Sequence, residues 1–82
     1  MTRIAWFPWN NNDGYLVGQV IDEFRGVNGT MVNLGRSFVI ETLADGRYRL
    51  MDGVMKTPYF TSYDIEMCKR FANGLEGIKE DN

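Results

Sequence analysis

Apolar and polar residues change period along this chain, and the changes mark its elements. From Phe38 to Asp52 the period is two, broken only at Leu43-Ala44-Asp45-Gly46-Arg47, which reads as a hairpin. Two registers compete. A two-residue loop at Asp45-Gly46 opposes Leu43 to Tyr48, Glu41 to Leu50 and Val39 to Asp52, mixing charged with apolar side chains on one face. A three-residue loop with Gly46 in the left-handed region opposes Ile40 to Leu50, Thr42 to Tyr48 and Glu41 to Arg49. That register puts Phe38, Ile40, Tyr48 and Leu50 on a core face and Glu41, Arg47 and Arg49 on a solvated one, so it is the one expected. A turn at Asp52-Gly53 opens a third strand, Val54 to Phe60. Pro58 has no N–H to give a ladder and assigns that strand to an edge.

The period then lengthens. Ile65, Cys68, Phe71, Ala72 and Leu75 recur at helical spacing, with Glu66, Lys69, Arg70 and Asn73 on the other side. The spacing predicts a helix from near Ser62, capped by Thr61 or Ser62, with Glu66 and Arg70 as a four-apart pair and Gly74 or Gly77 as the stop.

Tyr15 to Val27 carries both periods. Leu16, Val17, Val20, Ile21 and Phe24 form a helical stripe, whereas alternation would set Asp22 on the same face as Val20 and Phe24. A helix is therefore favoured, despite Gly18 in its middle and three β-branched residues. The other reading is a strand, with Asn28-Gly29 as the tip of a hairpin paired to residues 31–34. The fold expected is α+β: a three-stranded antiparallel meander with a C-terminal helix packed on it, and a second helix (or an extra hairpin) before the sheet. Met1 to Leu75 reads as one domain and Glu76 to Asn82 as an acidic, mobile tail.

Composition narrows the function classes. The 82 residues are 44% hydrophobic and carry nine Lys and Arg against eleven Asp and Glu, a net charge of −2. Nucleic-acid-binding domains are normally basic, so this balance makes nucleic acid the less favoured partner. The longest apolar run, Ile4 to Trp9, is far too short to span a bilayer, and no signal-peptide core is visible, so a cytoplasmic protein without a membrane partner is expected.

Catalytic equipment is sparse. There is no histidine, and the one cysteine, Cys68, falls on the apolar side of the last helix, where a thiol behaves as a small hydrophobe. Asn10 to Gly14 resembles a calcium loop, yet alignment on Gly14 puts Trp9 and Val20 where the acidic ligands belong. Gly26-Val27-Asn28-Gly29 has GxxG spacing without basic residues and reads as a turn. No enzyme activity, metal or cofactor is expected.

Two sets of residues point to binding. Trp6, Phe7 and Trp9 surround Pro8, and strand alternation would send Trp6 and Phe7 to opposite faces, so one small sheet cannot bury them all. Tyr59, Phe60 and Tyr63 pose the same question further on. Aromatic anchors supply much of the energy of protein interfaces, so Trp6, Phe7, Trp9, Tyr59 and Tyr63 are the candidate contacts with another protein. The second set, Arg36, Arg47, Arg49 and Lys56, is basic and offers an alternative contact with nucleic acid. An exposed sheet edge would also allow a homodimer.

The hairpin through Ala44-Asp45-Gly46-Arg47 and the capped helix at Thr61-Ser62-Tyr63-Asp64-Ile65 resemble, in style, the small accessory and inhibitor proteins of bacteriophages, anti-CRISPR proteins among them. The resemblance spans Phe38 to Leu75 and carries over no functional residue. It implies stoichiometric binding to a host macromolecular machine in place of turnover. The order helix, three strands, helix is also similar to the double-stranded-RNA-binding fold. That fold bears lysines at the start of its last helix, where this chain has Tyr63-Asp64-Ile65-Glu66.

Overall fold

The computed structural model describes residues 1–9, 12–23 and 31–79. Its strands are β1 (Thr2–Trp9), β2 (Asn12–Glu23), β3 (Met31–Thr42), β4 (Tyr48–Asp52) and β5 (Pro58–Ser62), followed by helix α1 (Ile65–Leu75). All five strands form one antiparallel sheet in sequence order, β1-β2-β3-β4-β5. This overturns the expected three-stranded meander with two helices. Among the described residues α1 is the only helix, and the sheet gains two strands at its N-terminal side.

The segment expected as a helix is instead the long strand β2. Two contacts distant in sequence fit the strand: one answers the objection raised by Asp22, and the other covers Gly18, which already stood against the helix. Asp22 does share a face with Val20, but the Met1 ammonium pairs with its carboxylate at 2.9 Å, so it meets an opposite charge at the sheet end. Gly18 lies directly across from Trp6, and the indole occupies the space a side chain would need. Glu23, Asp22 and Ile21 then pair with Met31, Val32 and Asn33, so the hairpin alternative is the one the chain adopts. Its tip at Asn28-Gly29, with Phe24 and Gly26, lies outside the described residues.

The 38–52 hairpin has the expected register, with Ile40 opposite Leu50, Glu41 opposite Arg49 and Thr42 opposite Tyr48. Gly46 holds φ at +91°, where a Cβ would be strained. The following strand starts later than predicted, at Pro58. The Asp52 carboxylate collects the N–H groups of Val54 (2.9 Å) and Met55 (2.6 Å), which folds the next residues into a loop. Pro58 does sit on an edge strand.

Thr61 and Ser62 pair with Arg49 and Tyr48 in β5 and α1 begins only at Ile65, so neither caps the helix, although the Ser62 hydroxyl accepts from the Asp64 N–H at 3.0 Å. Asp64 is the cap, its Oδ1 accepting from the Glu66 N–H at 3.0 Å. Glu66 pairs with Lys69 at 3.5 Å, and Gly77 at φ +69° follows the C-cap. The helix lies against β3, β4 and β5. Cys68 and Ala72, small and wholly buried, allow close approach to a core of Ile4, Val20, Phe38, Ile40 and Leu50. Phe71 stacks on Phe60 at 4.8 Å between ring centroids.

The chain after Leu75 is anchored as far as Ile78, which packs on this core and donates its N–H to the Asn73 carbonyl. Glu80, Asp81 and Asn82 lie outside the described residues. No helix among the described residues is long and apolar enough to cross a membrane.

Candidate binding face

The sheet face opposite α1 is the one the hairpin pattern assigned to solvent. Strand pairing arranges it in rows. Phe7, Val17, Val39 and Met51 are successive cross-strand partners and form an apolar row over four strands, β1 to β4. Beside it, Tyr15, Glu41, Arg49 and Thr61 form a polar row from β2 to β5. On the other flank lie Ala5, Gln19 and Ser37.

Among the described residues no helix covers the apolar row, yet Val17, Val39 and Met51 are only 5%, 6% and 8% exposed. They form the floor of a cavity of about 560 Å³ walled by Trp9, Tyr15, Glu41, Arg49 and Lys56. Sequence reasoning missed this floor. The signal was present: β2, β3 and β4 carry apolar residues on both faces, which a sheet solvated on one side does not need.

The polar row is tied together. Tyr15 donates its hydroxyl hydrogen to Glu41 at 3.0 Å, and Arg49 Nη2 bonds the other Glu41 oxygen at 2.5 Å. Hydrogen bonding from Arg49 holds the Glu41 carboxyl below its usual range, against the opposing effect of burial. The hydrogen bond to Glu41 in turn keeps the Tyr15 hydroxyl protonated to higher pH than usual. Arg49 Nε is buried and has no hydrogen-bond partner among the described residues. The network thus favours the charged form of the Glu41 carboxylate and holds it beside the Arg49 guanidinium at the cavity rim.

Comparison of this chain with protein-family models, with curated proteins and with solved structures finds no match.

The aromatic candidates divide between the faces. Trp6 packs against the helix-side core. Phe7 and Trp9 belong to the open face, 40% and 51% exposed. Tyr59 contacts Phe38 edge-on at 6.0 Å on the helix side, and Tyr63 projects from the loop before α1. Of the expected protein contacts, the structure therefore brings Phe7 and Trp9 to one surface and leaves the other three elsewhere.

The basic residues are also dispersed. Arg36 pairs with Glu76 at the C-cap of α1 (2.8 Å), Arg47 with Asp45 in the hairpin loop (2.7 Å), and Arg49 with Glu41. Lys56 shares the cavity with Arg49 and donates to the Gly53 carbonyl at 2.7 Å. Only Arg49 and Lys56 of this set come together. Among the described residues, no three His, Cys, Asp or Glu side chains converge to hold a metal ion.

Proposed function

We propose that this protein acts by stoichiometric, non-catalytic binding of another protein, and that the open sheet face is its contact surface. The observation that carries the reading is Trp9, half exposed at the rim of a cavity whose floor is Val17, Val39 and Met51. An exposed aromatic beside a buried apolar floor, bordered by an ion pair, has the make-up of an interface hot spot with a polar surround. Phe7 extends the same apolar row outward. The resemblance to phage-encoded inhibitors supports a host macromolecular machine as the target.

The nucleic-acid reading has less in its favour, since Arg36, Arg47 and Arg49 each already hold a carboxylate that phosphate would have to displace. Affinity capture from host lysate tests the proposal, with the wild type and a Phe7→Ala/Trp9→Ala double variant as parallel baits. A partner retained by the wild type and lost by the variant, with affinity at least tenfold weaker on titration, supports it. Equal capture by both baits removes the open face as the contact surface. Binding to mixed nucleic acid that falls steeply with salt would favour the alternative.

A further inference from the structure

β1 is the first strand of the sheet, and among the described residues one of its sides is unpaired. Hydrogen bonding at its start fixes which backbone groups face outward. Glu23 N–H donates to the Met1 carbonyl at 2.9 Å and the Met1 amine to the Glu23 carbonyl at 2.7 Å, so these two form a reciprocally bonded pair. The register runs unbroken to Pro8, so Arg3, Ala5 and Phe7 likewise face β2. Thr2, Ile4 and Trp6 turn their N–H and carbonyl groups outward. Pro8 falls on the outward side too, which is why its missing N–H costs the sheet nothing.

The other edge is blunted. β5 has five residues, begins with proline and is joined to α1 by Tyr63 and Asp64 alone. β1 has eight, with the one charge of Arg3 tied to Glu23 at 2.6 Å. An edge of that length without blocking charges is a template for another strand.

We propose that a second copy of this chain pairs with β1, antiparallel about a two-fold axis at Ile4, to give one continuous sheet across two molecules. Only outward-facing residues can exchange bonds, so Thr2 meets Trp6 of the second copy and Ile4 meets Ile4. Every outward N–H of Thr2, Ile4 and Trp6 in both copies then finds a carbonyl in a reciprocal pair. An axis at Ala5 would instead set the Pro8 ring against the Thr2 carbonyl, at the end of β1 where its register with β2 breaks.

Side chains favour the same register independently of the backbone. On the open face it opposes Met1 to Phe7 of the second copy, joining two exposed apolar side chains of that end of the molecule. It also opposes Arg3 to Ala5, so the two arginines do not face each other directly. The pairing uses the edge of the sheet and is independent of the partner proposed for its open face.

Sedimentation equilibrium of the intact chain tests the proposal, with circular dichroism to show that each variant is folded. Wild type is expected to dimerise. Thr2→Pro removes an outward N–H and spares the bonds to β2, and it should weaken the dimer roughly tenfold to a hundredfold. Ala5→Glu, opposite Arg3 of the second copy, should tighten it roughly threefold, and Ala5→Lys should loosen it by a similar factor. An equimolar mixture of Arg3→Cys and Ala5→Cys should form a mixed disulfide under mild oxidation, well ahead of either variant alone. A wild type that stays monomeric at millimolar concentration overturns the proposal. So does a dimer indifferent to both Ala5 substitutions, or one in which Ala5→Cys cross-links to itself first.

Discussion

The indole of Trp6 fills the space that a side chain at Gly18 would occupy. The two residues are direct partners across β1 and β2, and a Cβ on Gly18 would sit 2.6 Å from Trp6 Cζ3 and 2.7 Å from Ile4 Cγ2. The aromatic ring thus shields backbone that an interior strand glycine would otherwise leave bare. Gly18→Ala should destabilise the fold by about 1–3 kcal/mol, because ring and methyl must both move in a packed core. Urea denaturation measures it, and an unchanged midpoint would show that Trp6 can shift without cost.

Two other glycines should respond with opposite signs. Gly46 has open space around it but φ at +91°, so Gly46→Ala should cost about 1 kcal/mol in backbone strain. Gly74, in the helix, has open space where a methyl group would sit, with no atom within 4 Å. Gly74→Ala should therefore stabilise the helix by about 0.5–1 kcal/mol. Thermal unfolding of the two variants beside wild type checks both signs at once.

The Glu41 network predicts a pH dependence. Its carboxyl titrates lower in the folded chain than its usual value of 4.5, chiefly through the Arg49 hydrogen bond. Such a group contributes stability that is present above the unfolded value and is lost as pH falls through the folded one. The stability gap between wild type and Glu41→Gln should therefore be widest near neutrality and close progressively below pH 4.5. Tyr15 gives the mirror case. Its hydroxyl is raised above 10.0 by the bond to Glu41, so its contribution holds below that pH and disappears above the folded value. Urea titrations across the pH range separate the two.

Cys68 is wholly buried between α1 and the sheet, with its thiol 3.6 Å from the Tyr48 carbonyl. Burial pushes the thiol's pKa up, which leaves little thiolate at neutral pH. A thiol reagent should label the native protein only as fast as it opens, and label it promptly in denaturant. Cys68→Ala should cost about 1–3 kcal/mol through lost packing.

Trp9 and Tyr15 show why the binding face is hard to read from the chain. Local pattern favours a helix for Tyr15 and gives Trp9 no cross-strand partner, so nothing near them in sequence places them beside Arg49. The Glu41–Arg49 pair itself is legible, because hairpin register depends on a loop of a few residues and on which face each side chain would take. The floor beneath it requires knowing that Val17 of β2 pairs with Val39 of β3 and Phe7 of β1, which depends on strands meeting across distant turns.

What the chain determines by itself is therefore local: the 38–52 hairpin and its register, the edge position forced on Pro58, and the apolar stripe of α1 through Cys68 and Ala72. These follow from turn chemistry and side-chain period, which act over a few residues. Tertiary structure decided the state of residues 15–23, where helical and strand patterns coexist. Pairing with β1 on one side and β3 on the other makes this segment an interior strand, and both partners lie outside the window in which the two patterns compete. Tertiary structure also decided where Thr61 and Ser62 belong, because cross-strand pairing with Arg49 and Tyr48 extends β5 through them and α1 begins only at Ile65.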